Sequence, residues 1–103
     1  MLTDCWQDTT IAQVTALLAA EADVRGVLLV GSCAREDADV WSDIDLMVVV
    51  AEGAMPRFFP AAGWLAPIGE LFAVNAYAEV TYNILQVVFS DGRRIDIKLV
   101  DEA

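Results

Sequence analysis

Apolar positions along this chain follow one period near the amino terminus and another beyond it. Ile11, Val14, Leu17 and Leu18 recur at the spacing of a single helix face. Thr10, with Gln13 three residues on, has the form of a capping box, so the pattern predicts an amphipathic helix over about residues 10–22. After Asp23–Arg25 the helical spacing disappears. GVLLVG is a continuous apolar run between glycines, which predicts a strand buried on both faces, and DLMVVV is a second such run. From Ala51 to Pro67 the residues Gly53, Pro56, Pro60, Gly63 and Pro67 leave room only for short helical turns, around Met55–Phe59 or Ala62–Leu65. IGELFAVNAY and YNILQVVF then read as strands, and the Asp-Gly of SDGRR predicts a tight hairpin into RIDIKLV.

These elements add up to an α/β domain with a mixed, largely antiparallel sheet of about five strands and helices mainly on one face. At 103 residues the chain is expected to be one domain over residues 1–103. Only one long helix is visible and the chain ends at DEA directly after a strand. One sheet face is therefore expected to need a partner, or a carboxyl-terminal domain removed by truncation.

Composition narrows the chemistry. An apolar content of 57%, with three Trp and four Phe, excludes a disordered tail. Sixteen acidic residues stand against six basic ones, for a net charge of −10, and there is no histidine. Such a surface repels phosphate backbones, so no nucleic-acid partner is expected, while cations are attracted. Without histidine the commonest zinc ligand and general base are missing, which leaves carboxylates as the reactive groups. Cys5 and Cys33 show no paired spacing and are read as reduced thiols. MLTDCWQDTT lacks a basic start and an apolar run, and no stretch reaches membrane-spanning length, so the expected location is the cytoplasm.

Side chains alternate across a strand, so Asp43 and Asp45 share one face while Ile44 and Leu46 point to the core. Two carboxylates held so close repel unless a cation lies between them, and Mg²⁺ accepts one or two carboxylates plus phosphate oxygens. In RIDIKLV the same alternation sends Ile95, Ile97 and Leu99 inward and places Arg94, Asp96 and Lys98 on the opposite face. If the two strands are neighbours, Asp96 becomes a third carboxylate in a site able to hold two metals. Upstream, Gly31 lets a backbone approach a ligand closely, Ser32 adds a hydroxyl, and Arg35 is a charge-assisted donor for the same phosphates or a partner for Glu36, Asp37 and Asp39. Lys98 is expected to pair with a neighbouring acid. Cys33, with no histidine to activate it, is read as a small filler. Trp6, Trp41 and Trp64 are expected in the core, with Trp41 alone near enough to the acid pair to serve as a stacking platform.

GSCAREDADVWSDIDL resembles the motif of the nucleotidyltransferase superfamily that includes DNA polymerase beta: Gly-Ser, a spacer of about ten residues, then Asp-x-Asp on a strand. FSDGRRIDIKLV is similar to the later family strand that supplies a third acid, in particular that of the aminoglycoside adenylyltransferases. The resemblance spans Gly26–Val100. It implies that Gly31 and Ser32 hold a nucleoside triphosphate, that Asp43 and Asp45 bind two Mg²⁺ ions, and that Asp96 ligates the catalytic ion and takes the proton of an acceptor hydroxyl. The implied reaction moves AMP from ATP to a hydroxyl of a small molecule such as an aminoglycoside, an antibiotic-resistance chemistry, and releases pyrophosphate. Two other readings stand beside it: a minimal nucleotidyltransferase antitoxin that modifies or masks a partner toxin protein, and an inactive domain that only binds nucleotide or a partner. Small members of the family often carry Gly where this chain has Glu36, and the helical domain that helps build the acceptor pocket in the antibiotic-modifying members is absent from this sequence.

Overall fold

In the strand β2, Ile44–Val50, every second side chain is fully buried: Ile44, Leu46, Val48 and Val50. The strand β5, Arg94–Asp101, does the same with Ile95, Ile97 and Leu99. This strict alternation is what a sheet with one covered and one open face demands. The two strands pair in parallel at the centre of a five-stranded sheet. β1, Val24–Val30, lies antiparallel outside β2, and β4, Asn83–Phe89, lies antiparallel outside β5. β3, Leu71–Ala78, closes the far edge against β4, which gives the order β1-β2-β5-β4-β3. The computed structural model describes residues 6–36 and 38–102. This is the expected α/β architecture, with helices on one side.

The covered face packs against α1, Trp6–Ala19, and two 3₁₀ turns, Met55–Arg57 and Gly63–Leu65. Val14 and Leu18 of α1, together with Phe58 and Leu65, complete the core with Leu85, Val87 and Phe89 of β4. Phe58 and Trp64 meet edge to face at 5.5 Å between ring centroids. Among the described residues no helix is long and apolar enough to cross a membrane.

Three elements differ from expectation, each for a tertiary reason. First, α1 begins at Trp6 and Thr10 is buried within it, so the Thr10–Gln13 pair does not cap the helix. The first described turn of the helix is held by long-range bonds: Trp6 Nε1 donates to the Val40 carbonyl at 2.9 Å, and Gln7 Nε2 donates to the carbonyls of Asp39 at 2.6 Å and Ser42 at 3.2 Å. Second, the runs around β1 and β2 are not buried on both faces. β1 is an edge strand with Leu28 51% exposed, and the outer side chains of β2 are only half-buried. Third, β3 begins at Leu71, because Ile68 is drawn into the core and its amide closes a turn onto Leu65 at 2.9 Å. The Asp-Gly hairpin forms as read. Phe89 donates to the Arg93 carbonyl at 2.9 Å, and Gly92 supplies the positive φ of +96° that the turn needs.

Gln7 is the main strap between α1 and the loop leading into β2. Replacing it by Leu removes both bonds, leaving the Asp39 carbonyl only the Ser42 amide as donor, and is expected to cost about 1–3 kcal/mol. A lowered urea midpoint, with faster amide exchange at residues 39–42, is the measurement that checks it.

Candidate active site

The site forms where β1 and β2 meet the open face. β1 ends at Val30 and the chain turns at Gly31 into the short helix α2, Gly31–Ala34. Gly31 has φ +73°, and a Cβ built on it would strike the Asp45 carboxylate. Glycine is thus required here twice, by conformation and by space. Ser32 follows on α2, half-buried. Cys33 packs against the core and its thiol donates to the Asp43 carbonyl at 3.7 Å, in keeping with a filler. Arg35 caps the end of α2. Glu36 then adopts φ +62°, a left-handed conformation that favours glycine. The glycine common at this position in small family members therefore has a backbone cause.

The loop from Ala38 to Asp43 is tightly held. The Asp39 carboxylate accepts from the Trp41 amide at 2.9 Å and from the Ser42 hydroxyl at 3.1 Å. α1 grips the same loop through Trp6 and Gln7, and the Arg94 guanidinium donates to the Trp41 carbonyl. The Trp41 side chain is left 75% exposed, so it is not a core residue. Trp6 is buried and Trp64 half-buried, as expected of core aromatics. Cys5 and Asp37 lie outside the described residues.

The three predicted acids come together. Asp45 and Asp96 are direct partners in the parallel β2–β5 register, so both carboxylates project from adjacent strands on the open face. Asp43 immediately precedes β2, and its Oδ1 stands 2.8 Å from Arg94 Nε. This is a contact of charges: the buried Nε makes no hydrogen bond among the described residues. Burial raises the pKa of Asp45 above its usual 3.8, and the charge of Asp43 adds to the effect, while Lys98 and Arg35 partly offset it. Asp96 is raised in the same way, by burial first and then by Asp43 and Asp45, with Arg94 opposing. The Lys98 ammonium lies over the Tyr82 ring, 5.1 Å from its centroid, rather than in the ion pair expected of it.

Two clefts flank the acids. One of about 200 Å³ is lined by Asp43, Asn75, Gln86, Arg94 and Asp96. A smaller one of about 90 Å³ is lined by Val30, Asp45, Gln86, Asp96 and Lys98. A larger hollow of about 560 Å³, between α1 and α2, includes none of the three acids in its lining. Gln86 and Asn75 are not singled out by the sequence. Their only signal is a polar residue within the apolar run of each strand, LFAVNAYA and ILQVVF.

These groups fit Mg²⁺. Carboxylates raised by burial and by neighbouring negative charge are relieved by a cation, and an all-oxygen donor set suits a hard ion. Among the described residues no three carboxylates already stand in ligating geometry. Asp43 is occupied by Arg94, which leaves Asp45 and Asp96 as the pair that protein and phosphate oxygens would complete.

Two pairs of outcomes test this geometry. Gly31→Ala is expected to cost at least about 1–3 kcal/mol from the left-handed backbone, before the collision with Asp45 is counted. Glu36→Gly is expected to stabilise by about 1 kcal/mol. Thermal unfolding of both variants reads the opposite signs. Because the pKa values of Asp45 and Asp96 are raised on folding, their contribution to stability is fully present below the unfolded value and is lost as pH rises through the folded ones. At neutral pH without metal, Asp96→Asn should therefore raise the melting temperature, and the gain should shrink toward pH 4. Mg²⁺ should stabilise the parent chain at neutral pH and the variant much less.

Comparison with known proteins bears on the fold and the family. No curated protein matches the chain in sequence. Among solved structures, an aminoglycoside 6-adenyltransferase from Bacillus subtilis superposes with a TM-score of 0.68 at 15% identity, over 89% of this chain and 34% of that one. The polymerase core of TRAMP, an RNA surveillance complex, gives a TM-score of 0.63 at 18% identity, over 89% and 30%. A poly(U) polymerase bound to MgATP gives 0.61 at 16% identity, over 90% and 30%. These likenesses establish the fold, and this chain spans about a third of the length of each of those proteins. A family model for streptomycin adenylyltransferase matches residues 7–103, nearly the whole sequence. The chain belongs to the streptomycin adenylyltransferase family, within the nucleotidyltransferase superfamily.

Proposed function

We propose that the chain transfers AMP from ATP to a hydroxyl of a small polyhydroxylated, amine-bearing acceptor of the aminoglycoside type, with release of pyrophosphate. The observation that carries this reading is the direct register of Asp45 with Asp96, on the open face, beside a Gly31 that has room for no side chain. Asp45 and Asp96, with Asp43 beside them, would hold two Mg²⁺ ions. When bound, Mg²⁺ supplies neutralising charge at the triphosphate and coordinates its oxygens. Gly31 lets the phosphates approach the backbone, and the Ser32 hydroxyl and Arg35 guanidinium donate to them. Asp96 takes the proton of the acceptor hydroxyl.

The acceptor class rests on charge. A chain with net charge −10 repels an RNA backbone and attracts a polycation, which favours the aminoglycoside relatives over the RNA polymerases as a guide to substrate. A second reading, in which the acceptor is a hydroxyl of a partner protein, is favoured by apolar side chains exposed on both faces of the edge strand β3, Tyr77 on the open face and Val74 on the other, with the exposed Phe72 near its start.

Incubation of the purified chain with MgATP and streptomycin is expected to release pyrophosphate and form adenylylated streptomycin by mass spectrometry. Asp96→Asn should lower the rate by about 10²–10⁴-fold, the range for a general base. Pyrophosphate release that is indifferent to Asp96 would remove it from the chemistry.

A further inference from the structure

The line of polar groups does not stop at Asp96. Gln86 stands opposite Asp96 across the β4–β5 pair, and Asn75 stands opposite Gln86 across β3–β4. Asp45, Asp96, Gln86 and Asn75 thus form one transverse row over four strands. With strands about 4.8 Å apart, Asn75 lies roughly 10 Å from Asp96. On this face each carboxamide is bracketed along its own strand by apolar residues, Ile84 and Val88 around Gln86, and Ala73 and Tyr77 around Asn75. Asparagine is disfavoured in strands, and neither carboxamide makes a side-chain hydrogen bond among the described residues. Packing does not account for them. Together with Asp43, Arg94 and Asp96 they line the cleft of about 200 Å³.

The stereochemistry of the proposed transfer assigns this cleft, and the assignment rests on that functional reading. As the acceptor oxygen forms its bond to the α-phosphorus, the bond to the bridging oxygen breaks on the opposite side, and its electron pair leaves with pyrophosphate. The hydroxyl proton passes to Asp96. Gly31, Ser32 and Arg35 lie on the β1 side of Asp45, so the triphosphate and its leaving group belong on that side. The acceptor must then arrive from the side of β4 and β3.

We infer that Gln86 and Asn75 form the acceptor subsite, hydrogen-bonding the hydroxyl or amine groups that flank the reacting hydroxyl while the latter meets Asp96. A carboxamide donates and accepts at once, which matches groups of either kind. A row two strand steps long selects a ring-bearing acceptor of roughly 10 Å over a simple alcohol. Ala73 and Val88 offer the apolar surface for its ring face.

Steady-state kinetics with MgATP and streptomycin as the acceptor probe tests the assignment. Gln86→Leu keeps the side-chain volume and is expected to raise the KM for streptomycin about tenfold while the KM for ATP is unchanged. Asn75→Ala, on the exposed edge strand where it leaves the core intact, should act in the same direction. A raised KM for ATP would place the amides at the nucleotide, and unchanged constants for both substrates would make them solvated surface. Either result overturns the acceptor subsite and leaves the transfer reading standing. Failure of the parent chain to modify streptomycin at all would overturn the transfer reading, and the inference with it.

Discussion

The parallel pairing of β2 with β5 is the constraint on which everything else depends. It places Ile44, Leu46, Val48 and Val50 beside Ile95, Ile97 and Leu99 in one fully buried layer. Because side chains alternate, the same register sets Asp45 against Asp96 on the other face. A slip of one residue on either strand would move its apolar set out of the core and its acid into it. The hydrophobic effect therefore holds together two carboxylates that repel, and the cost of their proximity is offset by the burial of seven aliphatic side chains.

Around that pair the molecule concentrates its local irregularities. Gly31 turns left-handed where a side chain would meet Asp45, and Glu36 turns left-handed at the end of the same short segment. Trp6, Gln7 and Arg94 tie down the loop that delivers Asp43. Arg35, Lys98 and Arg94 surround the acids with positive charge without neutralising them, since the pKa values of Asp45 and Asp96 remain raised. A site of this kind is poised for a divalent cation and an anionic substrate together.

The same fold recurs in proteins of different names. One fold supports an aminoglycoside adenyltransferase and RNA polymerases among the solved structures, each about three times the length of this chain. What is shared is the sheet. In the acceptor subsite proposed for this chain, the groups beyond β5 begin with the amides of β4 and β3.

Much of this was legible in the chain itself. Alternation in IDLMVVV and RIDIKLV located the core and the acids, the glycine and proline spacing located the short turns, and the Gly-Ser and Asp-x-Asp spacing pointed to the chemistry. These are local properties, governed by the two-residue period of a strand and by backbone sterics within a few positions. The helical turn at Trp6 and Gln7 escaped, because its side chains are held by carbonyls more than thirty residues away. The exposure of β1 escaped too, since an apolar run reads the same whether its strand lies at the centre or the edge of a sheet. Gln86 and Asn75 acquired meaning only from strand order: no pattern within β3 or β4 says that each lies across from the acids, and pairing between distant strands decides it.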